Sequence, residues 1–379
     1  MAVAGASRGR RRAPGRHRHD GRTSPRHRPT QTPHVPAAGA PVTRPNTPEL
    51  VDVHAHFVTD DYVSAAIAAG IEHPDGMPQW PSWTVEQQLA LMADNGIRHA
   101  MLSVSSPGVS FTADAAALAR HVNDFAARTV TAHPERFSFL ASLPLPDVDA
   151  AVTEAVRATD RHGATGVVLM SNSGGRYLGD PSLNPLWECL DARQAIVFVH
   201  PTSPPDVAAV ALGRPAPMVE FMFETTRTIT DLIFASVVTR YPRIRFLIPH
   251  CGAALPLLAE RIEMFRSLWP APDGGAPGPL STDAQLRRMW FDTAGKPLPT
   301  QAAVLRNMVG TERILYGSDS CWTPAFAVGQ QIAALDADPE IDWRAVTTAN
   351  AQRLLTTCSV PTAGSSNGSA AAPAPERPR

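Results

Sequence analysis

Between residues 49 and 356, short apolar runs alternate with longer segments whose apolar positions recur at i, i+3 and i+4. The runs 49–54, 98–104, 137–142, 166–170, 195–200, 244–249, 289–293 and 313–317 are rich in Val, Ile, Leu and Phe. Near-continuous apolar character over so few residues predicts strands covered on both faces. Helical segments follow the strands in turn, at 84–95, 113–132, 148–162, 184–193, 218–240, 255–268, 300–308 and 325–336. Thr84 with Gln87 resembles a capping box, and Gly96 supplies a C-terminal stop. This strand–helix alternation predicts an α/β fold, a (β/α)8 TIM barrel of parallel strands. The rival, a doubly wound open sheet, lacks the Gly-x-Gly-x-x-Gly expected after its first strand. A further helix at about 342–356 is expected to cap the barrel.

Two connectors, 57–83 and 271–283, are too long to be plain turns. The first carries Trp80 and Trp83 at the end of the barrel where strand C-termini open, and these are expected to wall or cover a pocket. Residues 1–46 hold ten arginines against one acid, Asp20, which leaves a mildly acidic remainder in a chain of net charge -1. The predicted organisation is a disordered basic arm over 1–46, a folded barrel over 47–358 and a disordered Ser/Ala/Pro-rich tail over 359–379. A basic arm can bind nucleic acid, but that leaves the residues described next without a purpose, so no nucleic-acid partner is expected. No apolar run reaches the roughly 18–20 residues of a membrane span, and no apolar leader follows Arg10-Arg11-Arg12. Four cysteines, Cys189, Cys251, Cys321 and Cys358, have no C-x-x-C spacing and read as reduced thiols of a cytoplasmic protein. Cys251 and Cys321 flank the candidate site and are read as packing residues.

Chemistry concentrates where the strands end. His54 and His56 close the first run, and on a strand residues i and i+2 share a face. His200 closes the fifth run, His250 the sixth, and Asp319 follows the eighth. Strands 8 and 1 are neighbours in a closed barrel, so Asp319 falls beside the histidine pair, with His200 facing them across the mouth. Core packing does not account for five such groups at four strand ends. Imidazole and carboxylate together suit zinc or another divalent ion, with His54, His56, His200 and Asp319 as ligands. His250 is the candidate general acid/base. His73, His99, His121, His133 and His162 fall in loops or helices and read as structural or exposed.

At these residues the chain resembles the amidohydrolase superfamily, in the branch related to aminocarboxymuconate-semialdehyde decarboxylase. The motifs are Asp52-Val53-His54-Ala55-His56-Phe57, Val199-His200-Pro201, Ile248-Pro249-His250-Cys251-Gly252 and Leu315-Tyr316-Gly317-Ser318-Asp319, and the likeness spans roughly 49–356. Phe223-Glu224-Thr225-Thr226-Arg227 and Phe291-Asp292-Thr293-Ala294-Gly295 look closer to the 6-methylsalicylate decarboxylases within it. The resemblance implies a metal-dependent decarboxylase of a small aromatic, ortho-hydroxybenzoate-like or unsaturated acid, with no organic cofactor and with Asp319 sharing the catalytic role of His250. The alternative is a hydrolase of a lactone or amide using the same site. The muconate-semialdehyde enzymes hold their substrate with an arginine after strand 1, and residues 57–83 contain neither Arg nor Lys. Arg227 and Lys296 are therefore the candidates for a carboxylate, and Trp80, Trp83, Phe221, Phe223, Trp290 and Trp322 for a flat apolar substrate. The expected partner is a small carboxylic acid, with homo-oligomerisation left open.

Overall fold

The computed structural model describes residues 48–268 and 278–356. Eight strands form one sheet in which each pairs in parallel with the next in the chain. They are β1 (Leu50–His56), β2 (Ile97–Ser103), β3 (Phe137–Ser142), β4 (Gly166–Met170), β5 (Ile196–His200), β6 (Arg245–Ile248), β7 (Trp290–Asp292) and β8 (Ile314–Leu315). Bridges Asp52–Tyr316 and Ala55–Ser320 join the end of the sheet to its beginning and close the barrel. The backbone N–H of Val53 donates to Tyr316 O at 3.0 Å, and that of Asp319 to His54 O at 2.8 Å. Every β1 residue is buried, because one face meets the barrel interior and the other the helices.

The surrounding helices are α1 (Asp60–Ala68), α2 (Val85–Asn95), α3 (Ala115–Ala132), α4 (Val148–His162), α5 (Asn184–Ala192), α6 (Glu220–Phe234), α7 (Leu255–Leu268), α8 (Gln301–Val309), α9 (Ala325–Asp336) and α10 (Trp343–Thr356). The predicted capping chemistry is present on α2: the Thr84 side chain accepts from Gln87 N, and Gly96 ends the helix in the left-handed region. Two features differ from the sequence-based expectation. The 57–83 connector holds α1, whose N-cap Thr59 accepts from Tyr62 N. The segment 218–240 is not one helix: α6 stops at Phe234, Ser236 takes a φ of 57°, and a short turn of helix, Val237–Arg240, follows. No Gly or Pro marks that break. Residues 1–47, 269–277 and 357–379 lie outside the described residues, and with them both expected tails and most of the 271–283 connector.

Val51, Val53, Met101, Leu140, Val168, Ile196, Phe198, Leu247, Trp290 and Leu315 fill the barrel interior, joined by Ala351 and Leu354 of α10. The last helix thus caps the barrel, as expected. Asn350 Nδ2 fastens it by donating to Thr311 O and Ile314 O. The opposite end, where β-strands run out, holds the polar groups.

Candidate metal centre

An alternating strand that sends Val51 and Val53 inward would send His54 outward. It does not here: the His54 ring lies 4.8 Å from that of Phe198, an interior residue. The β1–β2 register shifts between Asp52 and Ala55. This irregularity moves the inward face from odd to even positions, so an apolar layer is followed directly by a histidine pair. Asp52 holds the kink, its Oδ1 accepting from the N–H of His54 at 3.1 Å and of Ser318 at 3.0 Å. Gly317 makes a second accommodation. A Cβ there would meet His54 Cβ at 2.8 Å and Asp292 Cγ at 3.0 Å.

His54, His56, His200 and Asp319 each offer a ligand atom, all within 4.8 Å of one another. The Nε2 atoms of His54 and His56 are 2.9 Å apart, and Asp319 Oδ1 is 3.4 Å from each. The Nδ1 atoms are occupied elsewhere: His54 faces Asp292 Oδ2 at 2.9 Å, His56 the Ser103 hydroxyl at 3.0 Å, and His200 Pro201 O at 2.7 Å. With these Nδ1 atoms donating to those acceptors, the Nε2 lone pairs of His56 and His200 converge, and His54 adds its own once a cation displaces its second proton. The other histidines sit apart, His99 against Ser138, His121 against Asp61 and His162 against Arg157.

Charge explains what the cluster requires. Burial opposes protonation of His54, but the carboxylates of Asp292 and Asp319 overcome it and raise its pKa to about 10. Burial and the His54 charge hold His56 below the ordinary range, and burial with His56 and His54 holds His200 well below it. Burial would push Asp319 up, yet His54, His250 and His56 keep it well below the usual carboxylate range. Two ionised carboxylates facing three inward imidazoles, two of them neutral, form a donor set that fits a divalent cation.

His250 stands beside this set. Its backbone N–H donates to Asp292 Oδ1 at 3.0 Å, and its Nε2 is 3.6 Å from Asp319 Oδ2. Its Nδ1 is buried without a hydrogen-bond partner. Both His250 and Asp319 have φ near +55°, a conformation costly for a residue with a Cβ.

His200, His250 and Asp319 line a cavity of about 360 Å³. Ser105, Ser106, Phe221, Met222, Ala294 and Trp322 wall it, and Asp75, Met218, Lys296 and Gln301 also line it. Several expected substrate residues are placed elsewhere. Trp80 packs behind Trp322 with its indole N–H on Ile71 O, and Trp83 packs on Phe57 and Phe125. Phe223 is half-exposed and absent from the lining, while Phe221, two positions earlier on α6, takes the wall. Arg227 pairs with buried Glu224 and touches the Tyr177 hydroxyl, also away from the cavity. Trp290 lies in the barrel interior. Cys251 is fully buried, and neither it nor Cys321 lines the cavity. Sequence reasoning missed the role of Asp292, although an acid closing an apolar run was the same signal that singled out Asp319.

The amidohydrolase family model matches residues 51–356, most of the chain. The chain belongs to the amidohydrolase family. It is 35% identical over 307 residues to a decarboxylase of Aspergillus niger, covering 76% of this chain and 81% of that protein. It is 34% identical over 280 residues to 6-methylsalicylic acid decarboxylase of Penicillium expansum, covering 71% and 84%. A dihydroxybenzoic acid decarboxylase of Polaromonas, solved with manganese and 2-nitroresorcinol, shares the fold, with a TM-score of 0.69 at 23% identity over 82% of this chain and 97% of that one. Among the described residues no helix is long and apolar enough to cross a membrane.

Proposed function

We propose that this protein removes CO2 from an ortho-hydroxybenzoate of the 6-methylsalicylate type, using zinc held by His54, His56, His200 and Asp319. The broader class follows from its relatives: it is a carboxy-lyase of the amidohydrolase superfamily, acting on an aromatic acid with a divalent ion. Manganese is the ion named with the Polaromonas enzyme; zinc is our assignment from the three imidazoles and one carboxylate. Reduced cysteines are consistent with a cytoplasmic setting, since Cys189, Cys251 and Cys321 are free.

The observation that carries the reading is the meeting of a histidine outside the ligand set with an aromatic-walled cavity. A divalent ion supplies a Lewis-acid anchor for substrate oxygens. Phe221 and Trp322 flank the space for a ring. Decarboxylation of an arene needs a proton on the carbon that bears the carboxylate. The C–C bond then breaks, its electron pair returns to the ring, and CO2 departs. His250 is the donor in this scheme, because its imidazole lines the cavity and stands outside the ligand set. Asp319, 3.6 Å from His250 Nε2, orients that imidazole and stabilises its protonated form. Solvent returns the consumed proton to His250, so one proton is taken up for each acid converted. The test is phenol formation and CO2 release from 6-methylsalicylate, salicylate and 2,6-dihydroxybenzoate by metal-loaded protein. Intact acids alongside hydrolysis of aryl lactones would replace this reading with the hydrolase.

A further inference from the structure

We infer that Lys296 receives the carboxylate of the incoming acid, an assignment that rests on the proposed function and names what holds its substrate. The chain has 34 Lys and Arg residues, and Lys296 is its single lysine. It lies four residues beyond Asp292 and lines the same cavity as His200, His250 and Asp319. No arginine lines that cavity, so among the described residues Lys296 is the one Lys or Arg side chain that does.

Three observations leave that charge available. Lys296 is exposed and makes no hydrogen bond or ion pair among the described residues. Asp75 lines the cavity too, but Ser203 Oγ donates to its carboxylate at 2.6 Å, and it forms no ion pair with Lys296. Arg227, the other cation considered for this role, is committed to Glu224. Around Lys296 the backbone has room: Gly295 has a φ of +91°, and a Cβ there would meet nothing within 4 Å. The helix that follows this loop, α8, is tied to the catalytic end by Gln301 Nε2, which donates to His250 O at 2.7 Å.

The charges around the site give this lysine a purpose. An acid entering the cavity passes the carboxylate of Asp75, and the Lys296 ammonium that lines the same cavity offsets its repulsion. A flexible stem with three donors suits a group that must be captured and then released as CO2, where a rigid bidentate clamp would hold it.

The test measures binding by calorimetry to the full-length, metal-loaded protein, with benzoate as the acid and m-cresol as the same-sized ligand lacking a carboxylate. Lys296→Met should weaken benzoate about tenfold, about 1.4 kcal/mol, and leave m-cresol within twofold. Lys296→Arg should restore most of the benzoate affinity. A second measurement uses the native sequence: acetylation of the lone lysine, mapped by mass spectrometry, should be slowed by benzoate and not by m-cresol. Absent benzoate binding, an unchanged affinity in Lys296→Met, equal loss for both ligands, or acetylation indifferent to benzoate would each overturn the assignment. Failure of the decarboxylase reading is separately visible. It would appear as lysine-dependent benzoate binding in a protein that releases no CO2 from any ortho-hydroxybenzoate.

Discussion

Asp292 Oδ2 lies 2.9 Å from Nδ1 of His54, with both side chains fully buried at the end of the barrel. The same carboxylate receives two backbone N–H groups through Oδ1, from His250 and Ala294. One acid therefore orients a ligand imidazole and fixes the segment that carries the candidate proton donor. Asp292→Asn keeps the shape but removes the negative charge that faces His54 Nδ1. It should weaken metal affinity by roughly 10- to 100-fold, measured by competition with a chelator. Unchanged affinity would show that His54 is held without Asp292.

The ligand assignment itself is tested by His54→Ala with His56→Ala. Two of the four donors disappear, so the ion and activity should be lost together, with about one ion per chain in the parent protein. Elemental analysis decides this, and a full metal complement in the double variant would remove these residues from the site.

The histidines in these tests were legible in the sequence, unlike the role of Asp292, and the reason is physical. Barrel strands are buried on both faces, so each stands out as a short apolar run, and a polar side chain at its end is conspicuous. His54, His56, His200, His250 and Asp319 were found in this way. The register shift that turns His54 inward was not legible, because Asp52 and Ala55 carry no signal of a bulge. Nor was the stop of α6 at Phe234, where Ser236 adopts a left-handed conformation without a glycine. Trp80 and Trp83 lie on the expected connector but do not line the cavity. Their indole N–H groups are satisfied by Ile71 O and Gln88 Oε1, which turns them into the packing behind the wall. Asp75 sits in a single 3-10 turn, Pro74–Gly76, at a φ of 53°, where no periodicity points to it.

Arg227 offers a contrast between binding and support. Its partner Glu224 is fully buried and also accepts from Asn172 Nδ2 at 2.8 Å and the Tyr177 hydroxyl at 2.9 Å. Arg227 is itself half-exposed, which limits the worth of the pair. Arg227→Met should lower stability by about 1 kcal/mol in denaturant unfolding and leave KM for the acid within twofold. A large rise in KM at unchanged stability would return Arg227 to the substrate.

His250 separates chemistry from metal binding. It lies outside the ligand set, and its Nε2 is 3.6 Å from Asp319 Oδ2. His250→Asn should retain the metal and lose turnover by roughly 10²- to 10⁴-fold in kcat. A loss of metal equal to that of His200→Ala would instead make His250 a ligand and leave the proton donor to be found elsewhere.

The destination of the proton gives the most direct test of the reaction. If the ring carbon is protonated as CO2 departs, turnover of 6-methylsalicylate in D2O should place one deuterium at the carbon that carried the carboxylate, ortho to the hydroxyl of the m-cresol product. The label arises because His250 exchanges with solvent before it donates. Mass spectrometry of the phenol gives the count, and NMR gives the position. Control incubation of m-cresol with the enzyme in D2O should leave it unlabelled, which separates delivery during cleavage from later exchange. A hydrolase acting through the same five residues would give no CO2 and no carbon-bound deuterium. Product that carries hydrogen at that carbon over many turnovers would mean that the hydrogen is carried over from the substrate itself and is not delivered by a group recharged from solvent. That result would exclude the cavity-facing imidazole of His250, which lines the same opening as Lys296 and Trp322.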